Sequence, residues 1–434
     1  MSKPVKVRVR MYQVGFGDCF LVSVEYDKPL PDGRAERHLL IDYGSTRAAR
    51  EGRAPGKMRD VAPLIEKHTS GVLDVLALTH RHKDHLFGFA DDTGDATLRR
   101  LDPKLVLRPW TEDPDLQTDA TGPGAALVGA ASASFAASLA GAQAAAERLS
   151  TRAGLHEDVL AAAAEQVKNP EAIKLLDDLA AAGEGRYLFA GADPDVTKTV
   201  PGLKVTVLGP PTVDQDPRVS KQREDDEDEY WMLRLRASLD SAAGAAAEGA
   251  VATCDVDLGP GPVRWLVDRL ADQRDHSAAR LVRHLDDALN NTSLVLLLEI
   301  GGLKLLFPGD AQIENWQYTL EKLGEEKELR EKLRDIDLYK VGHHGSRNAT
   351  PRSLHALWKE RPATLPALTI LMSTRPGVHG ESEATRVPRQ TLVDALEEVG
   401  TLYSTDDLVE KETYVEVEAD VTGGPFRQVP FVAG

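Results

Sequence analysis

The stretch LALTHRHKDHLFGF, residues 76–89, sets three histidines and an aspartate, His80, His82, Asp84 and His85, within six positions directly after a run of apolar residues. Imidazoles two apart in a loop can converge on one cation, and a carboxylate followed by a histidine can turn toward a second cation a few ångströms away. The spacing therefore predicts a site for two metal ions. Ligands are held best on rigid elements, so the remaining donors are expected at the ends of other strands. Candidates stand there: Asp42 follows HLLI, Asp310 follows KLLFPG, and His343 with His344 follows LYKVG. Six of the 12 histidines fall in HRHKDH, GHHGS and GVHGES, a concentration that separates a ligand set from scattered imidazoles. A mixed histidine and carboxylate set suits two divalent transition ions, Zn or Mn, and hydrolysis by a hydroxide that the two cations activate. The residues after the histidine pair, Ser346, Arg347, Asn348 and Thr350, are donors suited to phosphate oxygens, or else simply cap turns. Lys340, Arg375 and Lys83 can add local positive charge, and His379 is a lone loop histidine that could touch substrate.

The elements that must position these side chains read as alternating strands and helices. Strand-like segments at 5–11, 19–25 and 38–41 open the chain, and a helix-like stretch at 60–68 leads into VLDVLAL, a buried strand by its length and β-branched content. Residues 119–185 are Ala-rich with apolar residues at helical spacing and read as a helical insertion. LKVTVLGPP restores a strand. A second insertion, acidic and helical, is expected at 212–289; it carries six successive acids at 224–229, a run read as a solvated face, and a helix at 263–288. SLVLLLEIGGLKLLFPGDA looks like an apolar hairpin turning at Gly301 and Gly302. A charged helix at 313–333, the strand DIDLYKV, a helix at 353–360, the strand ALTILMS, the helix RQTLVDALEEVG and a closing hairpin at 413–432 complete the reading.

Composition narrows the class. The 434 residues suffice for one large α/β domain, residues 1–434, that carries both insertions. A formal charge of −17 argues against a non-specific, charge-driven nucleic-acid coat, although it leaves room for a local basic groove. Cys19 and Cys254 lie far apart with no CxxC partner, a pattern that suggests neither a disulfide framework nor a thiolate zinc site. The first residues enter strand-like alternation instead of a signal segment, and no run approaches the ~18 apolar residues of a membrane span. The expectation is a soluble, cytoplasmic protein with no membrane partner.

These motifs resemble those of the metallo-β-lactamase superfamily: THRHKDH is similar to its HxHxDH signature, and Asp42, Asp310 and His344 follow in the order of its remaining metal motifs. Within the superfamily, VGFGDCFLV, DYG, LTHRHKDHLFGF, NNTSLVLLLEIGGLKLLFPGDA and KVGHHGSRNATP are most similar to the hydrolase domain of DNA-uptake competence proteins of the ComEC/Rec2 type, over residues 10–90 and 290–390. The resemblance implies an αββα sandwich of two mixed sheets with outer helices. It implies that His80 and His82 bind one metal, that Asp84, His85 and His344 bind the other, and that Asp310 bridges them. Asp84, His343 and Asp42 would serve catalysis, Asp42 by orienting ligands and His343 by touching substrate or donating a proton. The sequence leaves open which of His343 and His344 is the ligand. The superfamily usually supplies a further histidine from a middle strand, where this chain has Gly209; Asn290, Asn291 or water would fill in, with His276 and His284 as alternatives. No carboxylate stands at position 82 and neither cysteine lies in a metal motif, so flavodiiron-type redox chemistry and a cysteine-ligated lactamase site are not expected. The implied function is a metal-dependent phosphodiesterase, with nuclease activity on nucleic acid as the first expectation. The alternatives are a small-molecule phosphoesterase, lactonase or thioesterase and a metal-stabilised binding subunit whose insertions dock a protein partner.

Overall fold

The computed structural model describes residues 2–49, 58–114, 169–216, 290–348, 350–378 and 386–432. The first of two sheets gathers β1 (Pro4–Tyr12), β2 (Phe20–Tyr26), β3 (Glu36–Ile41), β4 (Val75–Ala77), β5 (Leu105–Pro109) and β6 (Glu184–Leu188). The second gathers β7 (Leu203–Gly209), β8 (Val295–Ile300), β9 (Leu303–Phe307), β10 (Leu338–Lys340), β11 (Leu368–Met372) and β12 (Gly400–Ser404). The closing pair β13 (Tyr414–Asp420) and β14 (Arg427–Val429) returns to the first sheet beside β1, giving the orders β14-β13-β1-β2-β3-β4-β5-β6 and β12-β11-β10-β9-β8-β7. Both sheets are mixed. β3 to β6 run parallel in one, and β9 to β12 run parallel in the other.

The period-two alternation of apolar residues fixes the layers. Val7, Val9, Leu39 and Val75 of the first sheet meet Leu296, Leu298, Leu305 and Leu338 of the second in the core between the sheets. The alternate residues face outward under helices. Leu40, Leu76 and Val106 pack under Met58–His68, Asp92–Leu101 and Pro170–Ala182. Leu297, Leu306 and Ile370 pack under Ile313–Glu325, Lys327–Arg334, Arg352–Lys359 and Gln390–Val399. The result is an αββα sandwich of two mixed sheets with outer helices.

Two boundaries differ from expectation. Residues 119–168 of the expected first insertion and residues 217–289 of the second, with His276, His284, Cys254 and the acidic run, lie outside the described residues. Within the first, however, residues 170–188 belong to the sandwich: Ala172, Leu175, Leu176 and Leu179 bury one face of their helix, and β6 extends the sheet beside β5. That strand is hard to read because Glu184, Gly185 and Arg186 are poor strand formers placed at an edge. The helix expected at 313–333 is two helices, broken where Glu326 takes an extended conformation.

The ends of the parallel strands matter for function. β3 ends at Ile41 and β4 at Ala77, just before Asp42 and the histidine loop; β9 ends at Phe307 and β10 at Lys340, just before Asp310 and His343. Loops leaving one end of parallel strands thus bring residues distant in sequence to one place. Among the described residues, no helix is long and apolar enough to cross a membrane.

Candidate metal centre

The histidine loop leaves β4 at Leu78 and enters a short helix at Lys83–Leu86. Thr79 ties it to the neighbouring strand: its N–H donates to Asp42 Oδ1 at 2.7 Å and its hydroxyl to Asp42 Oδ2 at 2.8 Å. Asp42 Oδ2 also lies 2.8 Å from His85 Nδ1. That contact places the ring proton on Nδ1 and leaves Nε2 as the donor atom. Asp42 holds a left-handed backbone, φ 57°, which turns the chain so that Gly44 lies against the ligand helix; a Cβ at Gly44 would fall 2.4 Å from the His85 backbone.

Three groups of donors converge, the ligand atoms of each lying within 4.8 Å of one another. His80, His82 and Asp84 form the first, Asp84, His85, Asp310 and His344 the second, and Asp18, Asp42 and His85 the third, in which Thr79 engages Asp42 and Lys340 engages Asp18. In the first, His80 Nε2 is 2.9 Å from His82 Nδ1. In the second, His344 Nε2 lies 2.9 Å from Asp84 Oδ2 and 3.6 Å from Asp310 Oδ2, and His85 Nε2 lies 3.1 Å from Asp310 Oδ2. His344 Nδ1 faces the Ser373 carbonyl at 3.0 Å, which turns its Nε2 toward Asp84 and Asp310.

The residues fit metal ions on two counts. His85 Nε2 and Asp310 Oδ2 are buried without a hydrogen bond although they face each other, an arrangement costly unless a cation takes both. In addition, the buried carboxylates of Asp18, Asp42, Asp84 and Asp310 gather round one buried ammonium, Lys340, and the His85 and His344 imidazoles; once those imidazoles are neutral, as metal ligands are, the negative charge left over is what divalent cations would balance.

The electrostatics are strongly shaped by this crowding. Burial holds the His80 imidazole well below its ordinary pKa, with His85 and His82 adding to the shift. Burial alone would lower His85 too, but Asp310, Asp42, Asp84 and Asp18 overcome it and raise that imidazole well above its usual range. His344 is raised likewise, Asp310 and Asp18 overcoming burial. Burial opposes ionisation of Asp84 and Asp310, yet His85 and the neighbouring cationic groups hold both carboxyls low.

The structure places the two adjacent histidines differently. His344 is fully buried among the donors, whereas His343 is half-buried with Nδ1 3.3 Å from Asn348 Oδ1, and only its backbone N–H meets the centre, donating to Asp310 Oδ1 at 2.9 Å. Both residues take left-handed backbones, φ 42° and 52°, which splay the adjacent side chains apart. Asp84 is the carboxylate that the first two donor groups share, and Asp310 stands in the second. Asp310 has one oxygen engaged by Lys340 Nζ at 3.3 Å and by the His343 N–H, which leaves only Oδ2 to the metals.

Several expected substrate groups are used otherwise. Lys340 is buried, ion-paired with Asp18 and donating to the Gly309 carbonyl at 2.9 Å, so it is no phosphate donor. The Thr350 hydroxyl pairs with Tyr339 at 2.9 Å inside the fold. Ser346 Oγ donates to Asn348 Oδ1 at 2.6 Å, and the Arg375 guanidinium donates to the Ala48 carbonyl. Arg347 is exposed, Asn348 is half-buried, and the half-buried Lys83 lies 5.8 Å from the Phe87 ring centroid. His379 lies outside the described residues. Asn291 does not replace the middle histidine: its amide donates to Glu314 at 3.1 Å and its carbonyl accepts from the Asn315 N–H at 3.4 Å. Nor could position 209 carry a ligand here, because a Cβ there would meet Asn315 Oδ1 at 2.0 Å.

Asp18 is the residue sequence reasoning missed. Fully buried, it pairs with Lys340, and its N–H donates to the Asp84 carbonyl at 2.9 Å. The only signal was an acid between Gly17 and Cys19 at the start of a buried strand.

No family model matches the chain, and no curated protein matches it. Among solved structures it is similar to the metallo-beta-lactamase fold protein YhfI from Bacillus subtilis, with 10% sequence identity over 96% of this chain and 100% of that one, at a TM-score of 0.37.

Proposed function

We propose that this chain is a metal-dependent hydrolase of the metallo-β-lactamase type that holds two zinc or manganese ions and cleaves phosphodiesters, with nucleic acid as the preferred substrate. The observation that carries the metallohydrolase reading is Asp84, shared by two groups of buried donors, in the second of which Asp42 and the Ser373 carbonyl already hold the outer nitrogens of His85 and His344. Divalent ions in such a setting supply Lewis acidity and lower the pKa of water, which suits attack on an ester centre. The protein's own part is to aim the donors and to meet the substrate. His80, His82, Asp84, His85, Asp310 and His344 would hold the ions; Thr79 and Asp42 keep the His85 ring in register. His343, half-buried beside the donors with Nδ1 toward Asn348, offers Nε2 as the atom through which a proton reaches a leaving oxygen. The exposed Arg347 suits a phosphate oxygen. The motif resemblance to competence-protein hydrolase domains supports the nuclease reading.

A second reading, a lactonase or thioesterase, is favoured by the inward turn of Lys340 and Thr350, which removes two expected phosphate donors. One screen separates the two. The metal-reconstituted protein is assayed in parallel on single- and double-stranded nucleic acid, a small phosphodiester, a lactone and a thioester, each with and without chelator. Chelator-sensitive turnover highest on phosphodiesters is the expected result; a lactone or thioester preferred by orders of magnitude overturns the phosphodiester reading.

A further inference from the structure

Between His80 and His82 stands Arg81, and its side chain is engaged away from the donors. Its guanidinium meets the Glu112 carboxylate in a two-bonded fork, Nε to Oε1 at 2.6 Å and Nη2 to Oε2 at 2.7 Å. The Glu112 side chain is fully buried just beyond β5, where Arg108 Nη2 approaches the same carboxylate at 3.6 Å and Nη1 of that arginine pairs with Asp177 on the helix Pro170–Ala182. The fork therefore ties the ligand loop to the next strand and to the helix that covers it.

At its start the loop is held by Thr79, which reaches Asp42 and lies with its hydroxyl 3.2 Å from His80 Nδ1; the Arg81 fork is the tie between the two imidazoles. Residues 78–82 are neither helix nor strand, yet they carry both imidazoles of the first donor group. The second group is anchored elsewhere, through Asp42 on His85, the Ser373 carbonyl on His344, and Lys340 with the His343 N–H on Asp310. A guanidinium and a carboxylate joined by two bonds fix orientation as well as distance, which a single contact does not.

We propose that Glu112, acting through Arg81, is a positioning residue that sets the spacing of His80 and His82, and so the affinity of the metal position these two form with Asp84. The position formed by Asp84, His85, Asp310 and His344 is independent of it. This rests on the metallohydrolase reading above. Outer partners of metal ligands are typically worth about 10–100-fold in metal affinity.

The test titrates metal-free protein with Co(II), followed by calorimetry and by the visible spectrum, which reports each position's ligand geometry, for wild type, Glu112→Gln and Arg81→Lys. The thermal midpoint of each metal-free protein is measured alongside. Wild type is expected to bind in two steps. Glu112→Gln is expected to weaken one step about 10–100-fold and to change its spectrum, leaving the other within about twofold. Arg81→Lys keeps the charge but loses the fork, and is expected to weaken the same step severalfold; it carries the test if Glu112→Gln fails to fold. Two unchanged steps in a folded variant overturn the proposal, as does an equal weakening of both steps in parallel with the thermal midpoint, which marks a merely structural role. Absence of any binding by wild type is a different failure: it overturns the metallohydrolase reading, and the positioning role falls with it.

Discussion

Asp42 offers the metals no free oxygen, since Thr79 and His85 take both. Its removal therefore costs aim, not a donor. Asp42→Ala is expected to lower metal affinity about 10–100-fold, while Asp310→Asn and His85→Ala, which remove donors, are expected to abolish turnover with the fold retained. Calorimetric titration beside an activity assay checks the contrast, and near-normal turnover of metal-saturated Asp310→Asn would contradict its role. The same residues set a pH dependence. The carboxylates raise His85 and His344 above their ordinary values against the effect of burial, so in the metal-free protein both imidazoles keep their protons to higher pH than they would unfolded. Groups raised on folding stabilise the metal-free fold fully below the unfolded value of about 6.5, and that contribution is lost as pH rises through their folded values. Metal must displace those protons, so affinity falls as pH falls. The difference in thermal midpoint between zinc-loaded and metal-free protein is expected to widen from pH 6 to pH 8; a narrowing would show that these imidazoles bind metal without losing a proton.

β4 is only three residues long, Val75–Ala77, yet it launches the ligand loop. Leu76 points from it into the helix-covered outer core and is fully buried. Leu76→Ala is expected to lower stability by about 2–5 kcal/mol, measured by urea unfolding of metal-free protein. A cost near zero would show that the short strand is held by its hydrogen bonds to β3 and β5 alone. Such strands were legible in the sequence because their apolar residues have one outlet, as in VLDVLAL or the pair of runs around Gly301 and Gly302 that became β8 and β9. The edge strand Glu184–Leu188 was not, because its place comes from pairing with β5 and not from its own residues. The helix Asp92–Leu101 had a local signal in Asp91, whose carboxylate caps the Thr93 and Gly94 N–H groups. At the site, ligand spacing within one loop could be read directly. The role of Asp18 could not, since it depends on Lys340 arriving from the other sheet; the sharing of Asp84 and the engagement of Lys340 also needed the two sheets brought together.

At the scale of the whole molecule, a polyanion meets two opposed fields. The chain carries a formal charge of −17, while the loop beside the donors presents Arg347, with Lys83 half-buried nearby and Lys340 turned inward. The long-range repulsion is screened first, because the Debye length falls from about 30 Å at 0.01 M salt to about 10 Å at 0.1 M. Contact at the loop acts over a few ångströms and weakens through counterion release, at roughly 0.9 logarithmic units per phosphate contact for each tenfold rise in salt. Cleavage of a long nucleic acid is therefore expected to rise with salt up to about 0.1 M and to fall beyond it with a slope of about −1 to −2, while a small diester stays nearly flat. Arg347→Ala should flatten the falling limb by about one unit and leave the rising limb and the metal content alone. The measurement is kcat/KM on both substrates across that salt range. A steep fall from the lowest salt, with a slope of about −5 or beyond, would demand many phosphate contacts, and would place a basic groove on residues other than those of the ligand loop.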